Sequence, residues 1–125
     1  MTKSLYVLTL ATAMACAAAG TGTTHVRDSR LITEQEITAA NESNAYDVVA
    51  KLRPNFLKTR GRSTINASAS EYASVFLDGQ LYGDLSTLHN IAATQIREIR
   101  YISGTDAVTR YGMQYGAGVI DVRTR

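Results

Sequence analysis

The apolar residues of this chain recur with two different periods, and that change of period constrains the fold more than any other feature. Before Pro54 they follow helical spacing, with Tyr46, Val49 and Ala50 recurring and Leu52 beside them. After Tyr72 the chain becomes rich in β-formers as far as Leu77. Asp78 and Gly79 then supply the positive φ of a two-residue hairpin turn, and residues 80–82 read as its second arm. The small, polar residues 61–70 between the two regimes read as a loop. A chain that carries both periods, with short and irregularly placed helices, is expected to be α+β: a small mixed β-sheet with short helices.

Local signals place the elements. Thr33 and Glu36 form a capping box for a short helix running to about Ala40. Asn44 can cap a second helix over residues 45–53, which Pro54 ends because it lacks the backbone donor. A helical turn is expected over residues 85–91. Ile96 to Ile102 should be a strand with Ile99 and Tyr101 on one face, broken by Gly104. Thr105 or Asp106 can cap a further turn ending at Tyr111 and Gly112, and residues 119–122 make a last strand with Ile120 and Val122 on one face. Gly112, Gly116 and Gly118 would permit positive φ or close backbone approach where a turn feeds that strand.

The first residues read as a targeting signal outside the fold. Lys3 precedes an apolar run from Leu5 to Met14 that is too short to span a bilayer, which takes about 20 residues. Ala13, Met14, Ala15 and Cys16 resemble a bacterial lipobox, with Ala13 where Leu is usual. On that reading residues 1–15 are the signal peptide, Cys16 is lipidated, residues 16–25 are a flexible tether and residues 26–125 are the folded domain. The alternative is an ordinary signal cut after Ala15 or Ala19. As the chain has one cysteine, it forms no intramolecular disulfide.

Composition narrows function by exclusion. The 125 residues, 45% hydrophobic and 19% charged, suit one globular domain. A net charge of +2 is too small for a nucleic-acid partner. His25 and His89 read as solvent-exposed, and no set of convergent metal donors accompanies them. None of Ser63, Ser68, Ser70 and Ser74 sits in Gly-x-Ser-x-Gly, and the glycines lack phosphate-loop spacing. No cofactor and no enzymatic activity are expected. Lys51, Arg53, Lys58, Arg60 and Arg62 form the densest basic run, read as a solvated surface or a contact for an anionic partner. The tyrosines should be half-buried with wet hydroxyls. A candidate interface joins Tyr82 and Tyr111 to Arg60, Arg62 and Arg110, since Tyr and Arg are favoured at binding hot spots.

The C-terminal third carries an ordered set of motifs: Ile99-Arg-Tyr-Ile-Ser-Gly104, Ala107, Tyr111-Gly112, and Gly116-Ala-Gly-Val-Ile-Asp-Val-Arg-Thr-Arg125. In order and spacing it resembles the plug domain of the TonB-dependent outer-membrane receptors. Upstream, Phe76-Leu-Asp-Gly79 is similar to the plug's Val-Asp-Gly, and residues 45–54 to its helix ending in Leu-Pro-Gly. The resemblance covers residues 31–125. Arg100 stands where the family has an acid, Ser103 where it has a base, Thr105 for Pro and Asn55 for Gly.

The resemblance implies a plug-like fold in which Asp78, Gly79, Gly104, Gly112, Gly116 and Gly118 serve the turns. The strand at residues 119–123 should pair close to Ile96–Ile102, with residues 104–118 connecting them. It further implies a lipid-anchored module of the bacterial outer membrane, periplasmic or surface-facing, that binds an envelope protein or an outer-membrane barrel. The alternative is a receptor component whose barrel is supplied in trans, or the remnant of one. The chain is too short to build a 22-stranded barrel of its own, which needs about ten residues per strand. If the lipobox reading holds, Cys16→Ala should leave export intact and move the protein from the membrane pellet to the soluble periplasmic fraction. A variant that stays membrane-bound after a salt wash would count against it.

Overall fold

The computed structural model describes residues 27–59 and 70–125. The chain runs β1 (Leu31–Thr33), α1 (Glu34–Ala40), α2 (Ala45–Leu52), β2 (Ser74–Leu77), β3 (Gln80–Gly83), β4 (Ile96–Ile102), α3 (Gly104–Tyr111) and β5 (Val119–Thr124), with short 3-10 turns between. The five strands form one mixed sheet in the order β1-β4-β5-β2-β3. β5 lies between β4, antiparallel to it, and β2, parallel to it. This is the expected α+β class, and the β4–β5 pairing matches expectation, with Ile99 opposite Val122 and Tyr101 opposite Ile120.

The capping box at α1 is present, the Glu36 N–H donating to the Thr33 hydroxyl and the Thr33 N–H to the Glu36 carboxylate. Asn44 caps α2 through the Asp47 N–H at 3.0 Å. The buried stripe of α2 is Ala45, Val48 and Val49, whereas Ala50 is exposed and Tyr46 half-buried. The difference arises at the helix start: the Ala45 N–H bonds to the Ile91 carbonyl and the Ala93 N–H to the Ser43 carbonyl. Those ties turn Ala45 inward and fix which face meets the sheet. Pro54 ends α2 and also opens a 3-10 turn, Pro54–Leu57, that stacks Phe56 on Tyr101 at 5.0 Å. The main core lies between these helices and the first face of the sheet, where Ile32, Val75, Ile99, Ile120 and Val122 are buried.

The glycine readings divide. Asp78 (φ 49°) and Gly79 (φ 85°) make the left-handed hairpin turn. Gly112 (φ 115°) ends α3, and Gly118 (φ 101°) lies where a Cβ would run into the Tyr101 phenol, whose hydroxyl donates to the Ala117 carbonyl. Gly104 is not a turn glycine, whereas Gly116 lies in the turn that the Gly118 N–H closes on the Tyr115 carbonyl. Gly104 is the first residue of α3, and a Cβ on it would collide with the carbonyl of Gly116, which is itself right-handed helical. Gly104 is small because two backbones touch there.

Gly104 therefore starts a helix, and the N-cap is neither Thr105 nor Asp106 but Ser103. Its backbone is already extended, and its hydroxyl both accepts from the Asp106 N–H and donates to the Asp106 carboxylate. Gly118→Ala and Gly104→Ala should each lower the unfolding free energy by about 1 to 3 kcal/mol. Gly79→Ala, in open space but with positive φ, should cost about 1 to 2 kcal/mol. Urea titrations would check the ranking; a neutral Gly104→Ala would refute the backbone contact.

Candidate interaction surface

Alternation along β2, β4 and β5 sends a second set of side chains to the face opposite the main core. At one end of that face α3 and the turn Met113–Tyr115 bury Phe76, Ile102 and Val119 beneath Ala107. Tyr111 and Tyr115 close this smaller core, Tyr111 tilted over Phe76 at 4.6 Å and Tyr115 edge-on to it at 5.4 Å. Beyond it the face is polar. The register aligns Leu31, Arg100, Asp121, Phe76 and Leu81 in one row across all five strands.

Asp121 is the buried charge of this row, 3% exposed. Its Oδ2 accepts from Arg123 Nε at 3.3 Å, and its Oδ1 has no hydrogen-bond partner among the described residues. Arg123 also lies 3.7 Å from Glu98. The hydrogen bond to Asp121, then the charges of Asp121 and Glu98, hold the Arg123 guanidinium above its ordinary pKa. A buried carboxylate with one exposed cation beside it is costly to strip of that cation.

Some large apolar side chains remain exposed. Leu81 is 58% exposed, Met113 66% and Tyr82 42%. Leu81 stands opposite Phe76 and shares its face; Tyr82 is the extra residue of a bulge, because Phe76 pairs with Leu81 and Val75 with Gly83. Of the expected interface, Tyr111 joins the aromatic cluster, and Arg110 on α3 and Tyr82 on β3 are exposed. Arg60, Arg62 and Cys16 lie outside the described residues.

Leu81, Met113 and Asp121 were not singled out by sequence reasoning. The signal for Asp121 was available, because a lone acid in the apolar run 119–122 of a central strand must be buried. No local pattern marks Met113 as exposed.

The basic run is partly accounted for within the fold. Lys51 bonds to the Glu42 carboxylate and the Ala40 carbonyl, both at 2.7 Å, and Arg53 pairs with Glu36 at 3.2 Å. Burial works to raise the Glu36 carboxyl, but the Thr33 N–H and the Arg53 guanidinium outweigh it and hold it below its ordinary value. His89 is exposed, as expected, yet its ring stacks on Tyr46 at 4.1 Å. Among the described residues no group of His, Cys, Asp and Glu is placed to hold a metal ion, and no helix is long and apolar enough to cross a membrane.

Asp78 does more than turn the chain. Its Oδ1 accepts from the Thr124 N–H at 2.9 Å and its Oδ2 from the Thr124 hydroxyl at 2.7 Å, so the hairpin is clamped to the end of β5. These two bonds hold the carboxyl below its ordinary value of 3.8. A depressed folded pKa stabilises the fold above the unfolded value, and that contribution is lost as pH falls through the folded one. Asp78→Asn should therefore be less stable than wild type at neutral pH, with the gap narrowing as the pH drops below about 4. Denaturant melts across that range would show it; a constant gap would mean that the carboxylate charge is not involved.

No family model matches the chain, and no curated protein or solved structure does.

Proposed function

We propose that the chain is a non-enzymatic binding module of the bacterial outer membrane, lipid-anchored through Cys16 and built like the plug of a TonB-dependent receptor. One observation carries the reading. The segments that resemble the plug fall on β2–β3, β4, α3 and β5 in order, with β4 and β5 antiparallel neighbours joined through residues 104–118. The tilted aromatic cluster and the exposed Leu81 and Met113 supply contact area of the kind that binding modules use.

A second reading, a receptor component whose barrel is supplied in trans, draws on a different observation. The open part of the second face displays Glu98, Arg100 and Arg123, and the lumen of an outer-membrane barrel is polar.

Photo-crosslinking in cells separates the two. A reactive residue placed at Met113 or at Arg100 should give adducts in the outer-membrane fraction. An adduct of Arg100 with an integral barrel protein favours the second reading, and adducts at Met113 with other envelope proteins favour the first. A chain found in the cytoplasm, with adducts at neither position, would sink both.

A further inference from the structure

β4 and β5 carry the same pattern of an acid, an apolar residue and an arginine: Glu98-Ile99-Arg100 on one and Asp121-Val122-Arg123 on the other. Ile99 and Val122 are register partners, Glu98 lies opposite Arg123, and Arg100 lies opposite Asp121. A two-fold rotation about the Ile99–Val122 pair therefore exchanges the two acids with each other and the two arginines with each other. Alternation puts all four charges on the second face, away from the main core that takes Ile99 and Val122.

The side chains break that symmetry. Arg123 takes both acids, 3.3 Å from Asp121 along its own strand and 3.7 Å from Glu98 across the ladder. Arg100 is exposed, and its side chain makes no ion pair or hydrogen bond among the described residues. The converse arrangement is within its reach. Arg100 faces Asp121 as Arg123 faces Glu98, and the Cβ atoms of such partners lie about 4.5 to 5.5 Å apart. Asp121 also has an acceptor to spare, since its buried Oδ1 has no hydrogen-bond partner among the described residues. A carboxylate only 3% exposed is costly to leave without a cation, so loss of Arg123 favours drawing the second guanidinium in.

From the matched patterns and the one unused arginine we infer that the quartet has two positions, with Arg100 taking over Asp121 and Glu98 when Arg123 leaves them. In each position one arginine holds the acids and the other stands free on the open face. The exchange does not depend on the envelope reading.

A double-mutant cycle in the full chain, read by urea titration, tests this. Methionine keeps most of the arginine stem and removes its charge. Arg100→Met, which removes an unpaired surface cation, should change the folding equilibrium constant by less than about threefold. Arg123→Met should also be mild, because Arg100 replaces it. The double variant should lose about tenfold more than the product of the two single effects, since the acids then have no cation at all. Arg110→Met, on α3 outside the quartet, should combine with Arg123→Met as a simple product, which separates the exchange from a general loss of positive charge. In NMR spectra the Arg100 Nε–H should exchange with water more slowly in Arg123→Met than in wild type, and this measurement decides the matter if the double variant fails to fold. A double variant that shows only the product of the single effects, or an Arg100 Nε–H whose exchange is unchanged in Arg123→Met, would overturn the proposal.

Discussion

β5 has hydrogen-bonded neighbours on both sides and buried side chains on both faces, and the rest of the architecture depends on that double burial. Ile120 and Val122 fill the main core, and Val119 fills the smaller one under α3. Such a strand has no free surface on which to place an error. A slip of one residue would drive Asp121 into the helical core and carry Ile120 to the second face, beside Arg123. The register is held independently at both ends: Asp78 grips Thr124 at one, and the Tyr101 phenol passes beneath Gly118 at the other.

What could be read from the sequence is what local chemistry decides. The Thr33–Glu36 box, the Asn44 cap, the Asp78–Gly79 turn and the alternation of Ile120 with Val122 each act within a few residues, so their residue types are sufficient to announce them. Ser103 was missed as a cap because Thr105 and Asp106 compete for the role on composition, and only the extended backbone at Ser103 decides between them. The inward face of α2 was misjudged because ties to residues 91–93, far along the chain, orient it. The contact of Gly104 with Gly116 is likewise invisible in sequence: glycine is equally at home in a turn, and only the path of a second backbone shows which use it serves. Of the surface, the tyrosine cluster was half legible. The exposure of Leu81 depends on β3 being an edge, which is a property of topology.

The charges sort by region in a way that net charge conceals. In the helical part, cations are spent on neighbouring acids and carbonyls, as Lys51 and Arg53 show. On the sheet, Arg123 serves two carboxylates at once, while one Asp121 oxygen has no partner among the described residues. The hairpin keeps its acids without a single basic residue of its own. Electrostatic attraction between this surface and a partner would therefore depend on which end of the molecule is presented.

The parallel pairing of β2 with β5 also governs how the domain can assemble. Those two strands lie far apart in the chain, and closing so long a loop is entropically slow compared with forming the β2–β3 hairpin or the caps of α1 and α2. β5 is also the last of the five strands in sequence, although it sits at the centre of the sheet. Until it arrives, β4 and β2 have no strand between them and the apolar faces of both helical layers stay wet. Synthesis can therefore produce the β2–β3 hairpin before β5 exists, but cooperative closure of the sheet must wait for β5, which alone joins the β1–β4 pair to the β2–β3 pair.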